Sequence, residues 1–402
     1  MRWDDLAARA LRFVDVLCRV KPNRRTGSAG NRQAAEFAAR TIGSLEYQID
    51  STPFDCLDWL HGEALLAAGD RAFPVLPSPY TLGCDVTATL VAAQTLEELA
   101  ATDSAGKVLL LHGPLCAEQL MPKGFVFYNP AHHQEIIALL EALKPAAIVT
   151  ATARSPEQVG ALYPFPLIVD GDFDIPNVHC TDAVGADLAG QAGQVFRLKI
   201  EAERRPSSAS NVIARLNPTA PEKVVVTAHI DAYEDAPGAL DNASGTAVLL
   251  LLAGLLADYP GPLGVEIAAF NGEDHYSAGG QMDYLRRYGE ELRRIRLVVN
   301  LDDVGYLQGA SAYSFYECTP ELQAKAESVF RGYAGLVQGE PWVMGDHMVF
   351  VQQGIAAIAF ASEEMPELMR TVTHTARDTP GLVDGSKLAE IAQALNHLIR
   401  TL

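Results

Sequence analysis

The fold of this chain is indicated most clearly by Val224–Gly245, VVVTAHIDAYEDAPGALDNASG. The stretch begins as an apolar run rich in β-branched residues, which predicts a strand buried on both faces. It then carries His229, Asp231 and Asp241 into a loop of Gly, Pro, Asp and Asn, and an apolar segment long enough for a helix follows. Because open α/β sheets bind ligands beyond the carboxyl ends of their strands, we expect the chemistry of the protein at this junction.

Acidic and histidine side chains also follow the other apolar strands of the C-terminal half. The run VEIAAF leads to Glu273 and Asp274, RLVVNL leads to Asp302 and Asp303, and GIAAIAF leads through a loop to His374. Neighbouring strands of a parallel sheet lie only about 5 Å apart. We therefore expect these side chains to meet in one crevice.

The convergence of these side chains predicts a metal centre. A single aspartate at a strand end is more often a turn former or a helix cap than a ligand. Several carboxylates in one crevice, however, repel one another unless they are protonated or neutralised by a cation. The two nearby imidazoles favour a divalent metal, and mixed His and Asp/Glu ligation favours zinc, with cobalt and manganese as alternatives.

Strands alternate with helices from Val195 onwards, which predicts an α/β fold with a mostly parallel central sheet covered by helices on both faces. Residues 1–55 are predicted to be mostly helical and to belong to the same domain as residues 195–402. Residues 56–194 have frequent Pro and Gly and only short predicted strands, one of them at Leu167–Val169. We interpret residues 56–194 as a smaller β-rich domain inserted into the larger one.

Composition excludes several classes of protein. A net charge of −19 disfavours nucleic acid and anionic membranes as partners. The six cysteines are dispersed without a CxxC pair, which favours a reducing compartment. The N-terminus has acidic residues where a signal peptide has basic ones, and the longest apolar run, near Val248–Leu256, is too short to span a membrane. We expect a soluble, cytoplasmic protein.

Taken together, the motifs resemble the co-catalytic di-zinc exopeptidases of clan MH, which include bacterial leucyl aminopeptidases and glutamate carboxypeptidase. The resemblance covers residues 1–50 and 200–402, and the motifs occur in that family's order. They are RRTGSAGNRQAAEFAA, AHID, GALDNASG, FNGED, VNLDDVG, GDHMVF with GIAAIAF, and THTARDT. The inserted stretch resembles, more loosely, a protease-associated domain, through GKVLLLHG, PAAIVTA and IPNVHCTDAVGADL.

The resemblance implies a ligand set for two zinc ions. His229 and Asp302 would hold one zinc, Asp274 and His374 would hold the other, and Asp241 would bridge the two. It also implies that the peptide bond after this bridging aspartate is cis.

The resemblance implies a reaction as well. Glu273 would act as the general base on a water that bridges the metals, and Asp231 would orient His229 from behind. The implied activity is that of a zinc-dependent exopeptidase, an aminopeptidase in the first instance, on a peptide or a small amino-acid conjugate. Cobalt or manganese could substitute for zinc, and a homo-oligomer is compatible with this interpretation.

Four positions depart from the family pattern. Asp274 stands where the family nearly always has glutamate, and its carboxylate reaches about 1.5 Å less far. Leu240 replaces a residue that is commonly acidic in aminopeptidases, Asp303 replaces a methionine, and Gly345 replaces a serine. The shorter Asp274 leaves a single zinc as the alternative to two.

Three other functions are compatible with these departures. Arg370 and Arg377 flank His374 and could bind the terminal carboxylate of a carboxypeptidase substrate. Three acidic residues favour the cationic terminus of an aminopeptidase substrate instead. They are Asp303, Glu363 and Glu364. The remaining alternatives are a single-zinc acyltransferase similar to glutaminyl cyclase and an inactive, binding homologue similar to the transferrin receptor.

Overall fold

The computed structural model describes residues 3–125, 129–155, 159–275 and 279–402. The chain forms two compact units. Met1–Cys56 and Ser208–Leu402 form the first, here called the main unit, and Leu57–Ser207 form the second, here called the inserted unit.

The helices and strands are numbered along the chain. The α-helices are α1 Trp3–Cys18, α2 Ala29–Gly43, α3 Leu96–Ala101, α4 Ala131–Leu143, α5 Asp182–Ala189, α6 Gly245–Leu256, α7 Gly280–Tyr288, α8 Pro320–Phe330, α9 Met348–Val351, α10 Met365–Thr371 and α11 Gly385–Thr401. The strands are β1 Gln48–Asp50, β2 Pro53–Ala68, β3 Arg71–Phe73, β4 Leu76–Pro77, β5 Cys84–Ala93, β6 Val108–Leu111, β7 Ala147–Thr152, β8 Asn177–Thr181, β9 Val195–Ser210, β10 Val212–Leu216, β11 Lys223–His229, β12 Gly264–Phe270, β13 Ile295–Leu301, β14 Ser311–Tyr316, β15 Leu336–Gln338 and β16 Ala357–Ser362.

The sheet of the main unit has the order β1-β10-β12-β11-β13-β16-β14-β15. Its four central strands, β12, β11, β13 and β16, are parallel to one another. The antiparallel pairings of β10 with β12 and of β14 with β16 extend this core on its two sides. The α/β fold predicted from the sequence is confirmed, and its parallel part carries the strand ends of interest.

Both faces of this parallel core are covered. Every residue of β11 is buried, and its residues Val224, Val226 and Ala228 pack in one cluster with helix α6. On the opposite face the ring of Phe270 contacts Tyr284 of α7 and Phe350 of α9. Burial on both faces explains why β11 is apolar along its length instead of alternating.

The apolar stretch ahead of and within α6 belongs to this core. Among the described residues, Ala239–Leu256 is the one helical stretch long and apolar enough to cross a membrane by composition, with a mean hydropathy of 1.6, but 89% of it is buried in the protein. The backbone of Asp241 and Asn242 is also non-helical, so the stretch is not one continuous helix. We interpret it as a core helix preceded by a turn.

The inserted unit contains a second sheet, of order β3-β2-β9-β5-β6-β7-β8-β4. Strands β5, β6, β7 and β8 are parallel, and β5 also pairs antiparallel with β9. The strand predicted at Leu167–Val169 is wrong, since Ile168 makes only an isolated bridge with Leu120. Three apolar residues are too few to distinguish a strand from a buried loop.

The second junction between the units also differs from the prediction at residue 195. Strand β9 begins there, but its residues Val195 to Ile200 pair with β5 of the inserted unit. The structure therefore places the junction near the end of this strand, between Ser207 and Ser208. Alternating apolar and polar residues in β9 predicted a strand but carried no information about its partner.

Candidate metal centre

Three of the predicted ligands lie at the carboxyl ends of neighbouring parallel strands. His229 is the last residue of β11, Asp302 directly follows β13, and Asp274 lies in the loop after β12. The strand order β12-β11-β13 brings these three ends side by side. Asp241 comes from the turn before α6, and His374, with a positive φ of 64°, from the segment after α10.

The five side chains form two clusters that share Asp241. His229 Nε2 lies 3.1 Å from Asp241 Oδ1 and 3.4 Å from Asp302 Oδ1. On the other side, His374 Nε2 lies 3.2 Å from Asp241 Oδ2 and 3.0 Å from Asp274 Oδ1. Each oxygen of Asp241 therefore faces a different imidazole, which is the arrangement that a bridging carboxylate requires. We call the two clusters the His229 half-site and the His374 half-site.

The ligand atoms fit zinc in spacing and in chemistry. Tetrahedral zinc with bonds of about 2.0–2.1 Å separates its ligands by roughly 3.3 Å, close to the distances in both half-sites. His229, Asp241 and Asp274 each offer a ligand atom within 4.8 Å of the others, and all three are buried. Although carboxylate oxygens lie near it, neither ring nitrogen of His229 makes a hydrogen bond of regular geometry among the described residues, and the same is true of Asp274 Oδ2. Buried polar atoms without partners are costly unless a bound group satisfies them.

The electrostatics of the centre also favour a cation. Burial disfavours a charged imidazole, but the carboxylates around His229, with Asp302 foremost, raise the pKa of His229 well above its ordinary value. The pKa of His374 is raised in the same way by Asp274 and Asp241, also against the effect of burial. A divalent metal relieves the same repulsion between carboxylates that a proton on each imidazole would relieve.

Glu273, the predicted general base, is half-buried beside Asp274. Burial raises its pKa well above the ordinary value, and the charges of Asp302, Asp274 and Asp346 raise it further, while His229 opposes them. Its environment is therefore that of a carboxyl group adapted to hold a proton.

Asp231, which is predicted to orient His229, also contacts the loop after β12. Its Oδ1 lies 3.6 Å from His229 Nδ1, which is longer than a hydrogen bond. It accepts hydrogen bonds from the backbone amides of Gly272 at 2.9 Å and Asp274 at 3.3 Å, and its Oδ2 lies 3.1 Å from His275 Nδ1. Asp231 therefore anchors the loop that carries Glu273 and Asp274, and its orienting role towards His229 stays a prediction.

Asp378 and Arg24, for which the sequence alone predicts no role, fix the loop that carries Asp241. Buried Asp378 accepts the backbone N–H groups of Leu240 at 2.8 Å and Asp241 at 3.0 Å. Burial, with the charge of Asp241, raises the pKa of Asp378 to about 7. Arg24 donates to the carbonyls of Ile230, Pro237 and Gly238. The Asp241–Asn242 bond is cis, as the resemblance implied.

Asp346 and His275 also lie near the centre without having been predicted from the sequence. Buried Asp346 accepts a hydrogen bond from Gln281 Nε2 at 2.7 Å, and its charge acts on Glu273. His275 directly follows the FNGED motif, so its position was visible in the sequence. Its contact with Asp231 was not.

The structure gives a reason for one of the four departures. Gly345 has a φ of 109°, and a Cβ atom there would lie 2.8 Å from the indole ring of Trp342. A serine at this position would therefore need both a strained backbone and a displaced Trp342.

The inserted unit has a second group of metal-ligand type, formed by Glu118, His132 and His133. The backbone N–H of Met121 donates to His133 Nδ1 at 3.2 Å, so a neutral His133 carries its proton on Nε2. That nitrogen lies 3.2 Å from Glu118 Oε1, and the exposed His132 lies 2.7 Å from the same oxygen. Glu118 thus accepts a hydrogen bond from His132, while Nε2 of the buried His133 faces the same carboxylate without a hydrogen bond of regular geometry among the described residues.

The C-terminal half of the chain matches a known peptidase family. Residues 211–399 match peptidase family M28, a range that contains all five predicted ligands and Glu273. The chain is similar to an aminopeptidase of Bacillus subtilis, 26% identical over 348 residues that cover 83% of this chain and 71% of the relative. It is also similar to a probable lipoprotein aminopeptidase of Mycobacterium tuberculosis, 25% identical over 304 residues, 74% of this chain and 58% of that protein.

A third relative has a different activity. It is a glutaminyl-peptide cyclotransferase of Drosophila melanogaster, 26% identical over 215 residues, 43% of this chain and 59% of the relative.

Two solved structures have the same fold over nearly the whole chain. An aminopeptidase from an Aneurinibacillus strain aligns with a TM-score of 0.76 and 22% identity, covering 98% of this chain and 93% of that one. A zinc aminopeptidase from Bacillus subtilis aligns with a TM-score of 0.72 and 23% identity, covering 98% and 94%.

Proposed function

Because residues 211–399 belong to peptidase family M28, we propose that this protein is a zinc-dependent aminopeptidase. Its substrate would be a peptide or a small amino-acid conjugate with a free amino terminus. The observation that carries the proposal is Asp241, whose two carboxylate oxygens face the imidazoles of His229 and His374 separately. The aminopeptidases to which the chain is similar support the choice of reaction.

The chain offers ligands for two zinc ions, and we propose one in each half-site, with cobalt or manganese as substitutes. Asp302 and His229 would hold the first ion, Asp274 and His374 the second, and Asp241 would contact both. When bound, zinc polarises the carbonyl of the scissile bond and lowers the pKa of water.

The residues of the chain divide the remaining work. Glu273 accepts the proton of the attacking water and transfers it to the leaving amine. Asp231 holds the backbone amides of Gly272 and Asp274, which fixes the loop that presents Glu273. Asp378 fixes the backbone of Asp241 from the opposite side.

The charges near the centre favour a substrate with a cationic terminus. Asp303 is buried, and its Oδ1 has no hydrogen-bond partner among the described residues. Arg370, a candidate for binding a terminal carboxylate, lies 2.6 Å from Glu367 of its own helix.

The similarity to a Drosophila glutaminyl-peptide cyclotransferase favours a second candidate, an acyltransferase that cyclises amino-terminal glutamine. Such an enzyme would need one zinc, and the short side chain of Asp274 is compatible with a weak second half-site.

Other properties of the protein remain predictions. A cytoplasmic location is compatible with the six cysteines, all of which are free. The net charge of −19 supports the absence of nucleic-acid and membrane partners. That the protein forms a homo-oligomer also remains a prediction. So does the similarity of the inserted unit to a protease-associated domain.

A substrate panel tests the proposal. Protein stripped by a chelator is reloaded with zinc, cobalt or manganese and given aminoacyl anilides, N-acetylated dipeptides and a peptide with amino-terminal glutamine. We expect hydrolysis of the free-amino substrates only. Cleavage restricted to the blocked dipeptides would establish the carboxypeptidase, and cyclisation of the glutaminyl peptide without hydrolysis would establish the acyltransferase.

A further inference from the structure

Asp274 reaches its partner despite its short side chain. Its Oδ1 lies 3.0 Å from His374 Nε2, as close as the 3.2 Å contact of Asp241 Oδ2 with the same nitrogen. An aspartate carboxylate extends about 1.5 Å less far from the backbone than that of the glutamate usual in the family. The difference must be made up by the position of the main chain at Asp274.

The main chain at this point is held by one carboxylate, that of Asp231. Gly272 and Asp274 donate their backbone N–H groups to it, and the imidazole of His275 contacts it at 3.1 Å. A carboxylate can only accept, so His275 Nδ1 carries the proton in this contact. Asp231 is 0% exposed and His275 2% exposed, so the contact is shielded from water.

Of these donors, His275 alone is a side chain. The backbone amides are present whatever residues occupy the loop, whereas the contact from position 275 depends on a histidine or another side chain with a donor at the same distance. Because His275 directly follows Asp274, its attachment to Asp231 restrains the backbone on the far side of the ligand.

The ring of His275 also connects with the other side of the His374 half-site. Tyr233 stacks on His374 with ring centroids 4.7 Å apart and on His275 with centroids 6.1 Å apart. One aromatic ring therefore contacts both the ligand His374 and the neighbour of the ligand Asp274. A shift of the His275 ring would be transmitted to both ligands.

We propose that His275 is a positioning residue that sets how far Asp274 extends towards His374, and so maintains the second zinc site in a chain with aspartate at position 274. The inference rests on the proposed zinc centre and deepens it. His275 is not among the proposed metal ligands, and we expect its effect to be confined to the His374 half-site.

Zinc titration against a chromophoric chelator tests the inference, since it measures both half-sites without substrate. We expect His275→Leu to weaken the weaker zinc site about 10- to 100-fold, the usual effect of removing a partner that orients a ligand, while the tighter site changes less than about twofold. His275→Asn, whose amide can donate from nearly the same position as Nδ1, should retain most of the affinity. His397→Leu, the same change at an exposed histidine of α11, is the matched control.

A double-mutant cycle tests whether His275 acts by matching the backbone to the length of the side chain at position 274. In Asp274→Glu the longer side chain is presented from a backbone set for aspartate, so we expect weaker zinc binding at the second site. Adding His275→Leu should then restore part of that affinity, whereas the same change weakens the wild type.

Equal weakening of both sites by His275→Leu, or the same loss in the Asp274→Glu background, would overturn the inference. So would a wild type that binds a single zinc. Failure of the proposed function looks different, since two zinc ions would bind and respond to His275 as described but no aminoacyl substrate would be hydrolysed.

Discussion

At the scale of single residues, the centre depends on Asp241, whose two carboxylate oxygens face two different imidazoles. Asp241 is 6% exposed and lies between the buried imidazole of His229 and the half-buried imidazole of His374, so it cannot rotate without losing a contact on one side. Its backbone is fixed by Asp378 and its neighbour Gly238 by Arg24. Such preorganisation lets the ligands meet a metal without a further loss of conformational freedom.

The first prediction concerns Glu273, the proposed general base. Glu273→Gln retains the size of the side chain but cannot accept a proton, so hydrolysis should fall about 10²- to 10⁴-fold. Zinc content should stay at the wild-type value, because Glu273 is not among the ligands. Steady-state kinetics with elemental analysis of the same samples measure both. The exposed Glu290→Gln is the matched control, and a Glu273→Gln enzyme with near wild-type kcat would exclude Glu273 as the base.

The second prediction concerns Asp378. Asp378→Ala leaves the buried N–H groups of Leu240 and Asp241 without their acceptor, at a cost of about 1–3 kcal/mol for each group. We expect lower stability and weaker zinc binding, measured by urea unfolding and by zinc titration. Asp384→Ala, which removes the cap of α11 away from the ligands, controls for lost stability alone. Equal zinc affinity in Asp378→Ala and the wild type would contradict this account.

Several residues of the centre could be identified from the sequence, and others could not. His229, Asp241 and Asp302 stand directly beside apolar strands or in a Gly-rich loop, so local pattern was sufficient. Arg24 contacts carbonyls 206 to 214 positions away in the chain. Such a contact depends on tertiary packing, which no local pattern encodes.

At the scale of secondary structure, the parallel strands give the centre its shape. β12, β11 and β13 end at one edge of the sheet, and each end contributes at least one carboxylate or imidazole. Apolar composition identified these strands in advance because they are buried on both faces. Strand β2 is half exposed and strand β9 pairs across the inserted unit, so periodicity was a poorer guide there.

The third prediction concerns His179 of β8 and the stability of the inserted unit. Burial lowers the pKa of His179 to about 3, so the folded unit keeps it neutral. Unfolded chains protonate histidine below about pH 6.5. Stability is therefore unaffected above that pH, falls as the pH drops from about 6.5 towards 3, and falls no further from this group below 3. The expected slope is at most about 1.4 kcal/mol per pH unit.

Urea unfolding followed by the fluorescence of buried Trp59 measures this slope, in a chain with Trp3→Phe and Trp342→Phe. His179→Gln removes the titrating group and should flatten the slope between pH 6 and 4. His132→Gln, the same change at an exposed histidine of the unit, should leave it as it is. An unchanged slope in His179→Gln would show that other groups govern the acid sensitivity.

At the scale of the whole molecule, the predicted ligands and Glu273 all belong to the main unit, although that unit is assembled from two separate parts of the chain. The inserted unit has its own sheet and its own apolar clusters. A ligand of the metal centre should therefore stabilise one unit selectively.

The fourth prediction follows from this division. Removal of zinc by a chelator should lower the stability of the main unit, by about 2.7 kcal/mol relative to protein at a free zinc concentration 100 times the dissociation constant. Hydrogen exchange of the full chain should rise in the loops after β11 and β13 and stay constant in β6 and β7. An equal rise in both units would contradict a centre confined to the main unit.

Anomalous diffraction at the zinc edge from zinc-loaded crystals shows whether Asp241 joins two zinc ions. We expect two peaks roughly 3.5–4 Å apart. Each should lie about 2.0–2.2 Å from a different oxygen of Asp241, one beside His229 and the other beside His374. A single peak, or two peaks without Asp241 between them, would contradict the account.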